Sequence, residues 1–101
     1  MSEPREYTPE EVRTMFLDYI RGLVKYWARE DRVPDVKEKL EGLAFSILVT
    51  LDGESGGLPC FDVVPCPHES DKEYHRDNGE NWFPSGVPLP GALHEYLHQK
   101  E

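Results

Sequence analysis

Helix breakers are distributed unevenly along this chain. Of its nine prolines and eight glycines, only Gly22, Pro34 and Gly42 fall within residues 10–51. Proline and glycine punctuate regular structure, so the first half can build long elements and the second half is confined to loops and short pieces. A chain of 101 residues has room for one hydrophobic core. We therefore read residues 1–101 as one domain of two textures, with residues 1–7 as an N-terminal arm.

Thr8, Pro9 and Glu11 form a strong helix start: Thr8 can cap, Pro9 suits the first helical position and Glu11 completes a capping box. Val12, Phe16, Tyr19, Ile20, Leu23 and Trp27 then recur at helical spacing, predicting a helix to about Arg29. Its other side carries a basic ridge, Arg13, Arg21, Lys25 and Arg29, read as a solvated face that pairs with the acidic half. Asp35 and Glu38 repeat the start signal, and Val36, Leu40, Leu43, Ala44, Ile47, Leu48 and Leu51 form a second stripe, stopped by Asp52-Gly53. Residues 43–51 also alternate as a strand would, with residues 58–64 as the pairing partner. We favour one continuous helix through Leu51, because cap, stripe and stop agree.

Beyond Gly53, residues 58–65 read as a short extended edge segment bounded by proline. Ser70 and Glu73 stand at capping-box spacing and suggest a turn of helix. Asn81, Trp82 and Phe83 read as an extended piece that turns its aromatics inward. A terminal helix is expected from Ala92 to about Gln99, burying Leu93, Tyr96 and Leu97. The expected fold is α+β but mostly helical: a two-helix antiparallel pair with short strands, a loop-rich second half and a short C-terminal helix.

The net charge is −9. Residues 1–33 account for −1 and residues 34–101 for −8, with no basic residue between Lys39 and Lys72. Phosphate binding needs clustered Lys and Arg, so neither nucleic acid nor an anionic membrane is an expected partner. No apolar run reaches the length of a bilayer crossing, and the acidic start lacks the order of a secretory signal. The expected location is the cytoplasm, where Cys60 and Cys66 would remain free thiols.

His94-Glu95-Tyr96-Leu97-His98 matches the H-E-x-x-H pattern. Two imidazoles four residues apart share a helical face and can hold one zinc, with the intervening Glu as general base. Such a site needs a third protein ligand, and only three residues follow His98, so it would come from Cys60, Cys66, His68 or His75. The spacings of those four lack the close pairs usual for zinc modules. We expect no metal ligand at His94 or His98 and no cofactor, and keep a small metal-dependent hydrolase as the alternative. The densest polar stretch, residues 68–82, supplies the candidate binding surface: Glu69, Asp71, Glu73, Tyr74, Glu80 and Trp82.

The run Leu40-Glu41-Gly42-Leu43-Ala44-Phe45-Ser46-Ile47-Leu48-Val49-Thr50-Leu51-Asp52-Gly53, then Leu58-Pro59 and Phe61, then Gly79-Glu80-Asn81-Trp82, resembles a set of small bacterial and phage-encoded proteins over about residues 12–98. That resemblance implies no activity, cofactor or catalytic residue. With no nucleotide loop, basic patch or complete catalytic set, the expected function is a non-enzymatic protein-interaction or regulatory module of inhibitor or adaptor type. Its expected partner is another protein with a basic surface. Nothing in the sequence sets the oligomeric state.

Overall fold

The computed structural model describes residues 3–54 and 56–97. Among these residues four helices follow one another: α1 (Pro9–Arg29), α2 (Val36–Leu51), α3 (Asp71–Asp77) and α4 (Leu93–Leu97). The start of α1 is the expected reciprocal cap. Thr8 Oγ1 accepts from the Glu11 amide at 3.1 Å, and Glu11 Oε1 accepts from the Thr8 amide at 2.9 Å. Arg5 then grips both oxygens of Glu11 at 2.8 and 2.7 Å, which holds that carboxyl down at about 2.

α2 is continuous through Leu51, so residues 43–51 are helix and not strand. Asp35 caps it by accepting from the Lys37 amide at 2.8 Å. Gly53 ends it in the left-handed region at φ 83°, with the Cys60 Cβ so close that a side chain at position 53 would collide. The helical choice is explained by the neighbour. The Trp27 indole lies on Gly42, and its Nε1–H donates to Ser46 Oγ at 3.0 Å. Residues 42 and 46 must share one face for both contacts to form, which a helix provides. Gly42 is where the Trp27 ring of α1 lies directly against the backbone of α2.

The expected short strands are absent among the described residues, so the fold is helical rather than α+β. Residues 63–65 and 86–89 do lie side by side, but they exchange only two backbone bonds: Leu89 N–H to the Val63 carbonyl at 2.8 Å, and Gly86 N–H to the Pro65 carbonyl at 3.1 Å. Pro65, Pro84, Pro88 and Pro90 have no amide hydrogen, so a ladder cannot extend from there. Residues 58–62 are tied to α2 by one bond, from the Phe61 amide to the Leu51 carbonyl at 2.9 Å, and to α1 by the Phe61 ring set edge-on to Phe16.

The molecule is a flat slab, 51 × 46 × 18 Å, with a radius of gyration of 18.0 Å. A compact domain of this length has a radius near 13 Å. α1 packs on α2 and α2 on α4, while α3 rests on no other helix. Among the described residues no hydrophobic side chain is fully enclosed, and Thr50, whose hydroxyl donates to the Ser46 carbonyl at 2.9 Å, is the one buried residue. No helix among them is long and apolar enough to cross a membrane.

Candidate functional site

Two places gather chemistry-bearing side chains. The first is the start of α4. Ala92 adopts a left-handed backbone, φ 63°, which turns the first amides of α4 toward the end of α2. Asp52 Oδ1 accepts from the Leu93 amide at 3.1 Å, and Oδ2 accepts from the His94 amide at 2.9 Å and faces His94 Nδ1 at 2.5 Å. His94 Nε2 lies 3.1 Å from Glu54 Oε2, and the ring stands edge-on to Phe45. Asp52 thus serves as the missing anion at a helix N-terminus.

This arrangement corrects the expected orientation of α4. His94 faces inward, its side chain only 12% exposed, whereas Tyr96 and Leu97 face solvent. Of the expected buried stripe only Leu93 is partly covered, because α4 is held at its start by the Asp52 carboxylate, which turns His94 inward. As for metal binding, the imidazole is bonded through opposite nitrogens to two carboxylates that do not converge on one point. Cys60 and Cys66 are exposed thiols; His68 Nδ1 is 2.8 Å from Ser70 Oγ, and His75 Nδ1 is 3.0 Å from Glu80 Oε1. No group of three or more His, Cys, Asp or Glu side chains is placed to hold a metal ion among the described residues. His98 lies outside them.

The clamp predicts a pH window for α4 docking. The bond to Asp52 raises the His94 pKa against the partial burial of the ring, with Glu54, Asp52 and Glu95 charges adding to the effect. Burial pushes the Asp52 carboxyl up, but the bonds from His94 and Leu93 together outweigh it and leave the group below its usual range. A raised imidazole stabilises the docked state below its ordinary value and loses that contribution as pH rises through the raised one. A lowered carboxylate contributes above its ordinary value and loses that as pH falls through the lowered one. Docking should therefore be strongest between about pH 4 and 6.5. On the alkaline side the Glu54 contact should go first, since a neutral ring can still donate from Nδ1 to Asp52. NMR titration of the His94 ring, with Asp52→Asn lowering its midpoint, checks this; an unchanged midpoint would contradict it.

The second place is the arm formed by residues 62–90. Ser70 occupies the cap position of α3, but its hydroxyl pairs with His68 and makes no cap bond, so the expected Ser70–Glu73 box does not form. Asp71 takes over locally, its carboxylate accepting from the His68 amide at 3.1 Å. A cleft of about 320 Å³ opens between the start of α3 and Trp82, Phe83 and Pro84, with Glu69 on its wall. Lys72 Nζ sits 5.5 Å above the Trp82 ring.

The aromatics expected to turn inward do not: Trp82 is 44% and Phe83 71% exposed, and Tyr74 on α3 is 64% exposed. The proline-bound arm has no facing layer to bury them. Of the six candidate binding residues, Glu69 and Trp82 line the cleft, and Asp71 and Glu80 are engaged in local bonds with His68 and His75. Glu73 and Tyr74 project from α3 into solvent. Sequence reasoning missed Phe83 as a surface residue, and did not single out Lys72 within the polar stretch. The run of prolines after Phe83 was the available signal, because it denies that segment a place in a sheet. A scan against protein-family models and searches of curated proteins and of solved structures found no match to this chain.

Proposed function

We propose that this chain is a non-enzymatic protein-interaction or regulatory module, of inhibitor or adaptor type, acting in the cytoplasm. Its arm receives a segment of another protein that carries both basic and apolar side chains. The observation that carries this reading is the pair Trp82 and Phe83, left exposed beside a cleft that Glu69 lines together with His68 and Lys72. Exposed aromatics are the commonest anchors of protein interfaces, and a monomer gains nothing by leaving two adjacent ones in water.

Charge selects the partner. Residues 52–97 hold nine acidic and two basic side chains. The Glu69 and Glu73 carboxylates make no hydrogen bond or ion pair with another described residue, so they are available to an incoming Lys or Arg. The same field disfavours nucleic acid and anionic membrane. It should steer a basic partner at a rate that falls with salt.

Selection from a random peptide library on the intact protein tests the proposal. The expected winners combine Lys or Arg with Leu, Ile or aromatic residues, bind more weakly in high salt, and lose most of their affinity for a Trp82→Ser/Phe83→Ser variant. Peptides that bind that variant as well as the wild type would contradict it.

A further inference from the structure

The two stems of the arm meet at one place on the helical body. The outgoing stem is fixed where the Phe61 amide donates to the Leu51 carbonyl at 2.9 Å. The return stem is fixed where Asp52 accepts from the Leu93 and His94 amides at 3.1 and 2.9 Å. Leu51 and Asp52 are neighbours in the chain, so both stems end on the same turn, at the end of α2. Between this turn and the cleft lies a neck, in which the Leu89 and Gly86 amides donate to the Val63 and Pro65 carbonyls. The neck buries little, since Val63, Val64, Val87 and Leu89 are all exposed. An isolated two-stranded hairpin is marginal in water, and two backbone bonds without a ladder hold less than that.

We propose that Asp52 and His94 are positioning residues for the arm: by fixing the return stem beside the outgoing one, they keep the neck closed and the cleft at Trp82 and Phe83 in shape. The functional side of this inference rests on the reading of the cleft given above. Closing the base of a loop lowers the entropy cost of pairing residues within it. With Asp52 holding the return stem, Leu89 and Gly86 meet their carbonyls inside a ring that is already shut. Without it, residues 90–97 hang from the neck alone. Ala92 points the same way. Among the described residues it alone, glycines aside, has a left-handed backbone, a conformation unfavourable for alanine and kept only where the surroundings enforce it. The bonds from Asp52 to the next two amides supply that enforcement.

The charge of one ring governs this hold. The charged groups facing His94 are Asp52 and Glu54 from the end of α2, and Glu95 from α4 itself. Phe45 of α2 meets the ring edge-on, and Tyr19 is the titratable residue that α1 places at the hollow beside Phe45 and Glu54. Cys60, from the outgoing stem, lies against Gly53. The bond to Asp52 first, then the three negative charges, favour the protonated ring. Loss of the proton turns a bare Nε2 toward the Glu54 carboxylate and weakens the pull on Asp52. The neck should therefore loosen as pH rises, although neither Asp52 nor His94 touches the cleft. A purely structural role for Asp52 carries no such dependence.

Amide hydrogen exchange of the full chain, read by NMR as protection factors at about pH 6 and about pH 8.5, tests this with Asp52→Asn and His94→Gln variants. In the wild type the Leu89 and Gly86 amides are expected to lose protection severalfold from the lower to the higher pH. Asp52→Asn should lower their protection about tenfold at both. His94→Gln should lower it too and remove the dependence on pH, while the Ile47 amide inside α2 stays as protected as in the wild type. A peptide selected on the wild type should bind both variants more weakly. Neck amides as protected in Asp52→Asn as in the wild type overturn the proposal. So does a loss at Ile47 together with the neck, or a His94→Gln protein that keeps the wild-type pH dependence. A peptide that binds both variants as tightly as the wild type also overturns it, and leaves the arm reading standing. A wild type that selects no peptide fails the arm reading instead, and the neck amides then decide the positioning by themselves.

Discussion

Trp27→Ala is expected to cost about 3 kcal/mol, the low end for removing a large aromatic from a packed site, and to leave the protein only marginally stable at room temperature. The indole bridges α1 and α2 through two contacts. Its ring lies on Gly42, where no side chain intervenes, and its Nε1–H donates to Ser46 Oγ. Alanine removes the ring and leaves the Ser46 hydroxyl without that donor. A single domain typically has about 5–15 kcal/mol of stability, and one in which no described hydrophobic side chain is fully enclosed starts from the lower part of that range. Trp27→Phe should cost less, about 1–2 kcal/mol, because it keeps a ring on Gly42 and loses mainly the hydrogen bond. Urea unfolding followed by circular dichroism reads both. A Trp27→Ala protein within about 0.5 kcal/mol of the wild type would show that the helical pair does not rest on this contact.

Gly42→Ala and Gly22→Ala are expected to shift stability in opposite directions, although the chemical change is the same. Both glycines are inside helices, and alanine there gains about 1 kcal/mol of helix propensity. At Gly22 nothing lies within 4 Å of the added methyl, so that gain should be kept. At Gly42 the methyl would stand 2.5, 2.6 and 2.8 Å from three atoms of the Trp27 ring. The indole cannot withdraw without breaking its bond to Ser46, and overpacking of this kind costs about 1–3 kcal/mol or more. A net loss of about 1–2 kcal/mol is expected at Gly42, against a gain of about 0.5–1 kcal/mol at Gly22. Thermal melts of the two variants decide it. Equal shifts of the same sign would contradict the close approach of α1 and α2.

What could be read from the sequence follows the range of the forces involved. The first two helices were legible because their signals are local: Thr8 with Glu11, Asp35 ahead of Lys37, and apolar stripes of helical period. The contest between helix and strand for residues 43–51 was settled by Trp27 against Gly42 and Ser46, a contact across nearly twenty residues that periodicity does not encode. The orientation of His94 depended on Asp52, more than forty residues away. From the sequence, Asp52 was visible only as part of a helix stop. The exposure of Trp82 and Phe83 was misjudged for a third reason. Large aromatics are usually buried, but that tendency needs a layer to bury them against, and the prolines of the arm prevent one from forming. The acidic field of the second half was legible outright, since charge needs no fold to be counted.

The central claim is that this chain works by receiving a basic, apolar-bearing segment on its arm. Backbone and indole chemical shifts of the isotopically labelled protein, followed as a library-selected peptide is added, test it most directly. The account predicts that the largest changes fall on the Trp82 indole N–H and the amides of Glu69, Lys72, Glu73 and Phe83, with α1 and α2 nearly unmoved and the changes reversed by high salt. Shifts concentrated on α1 and α2, or at His94 and Asp52, with the arm unmoved, would contradict it.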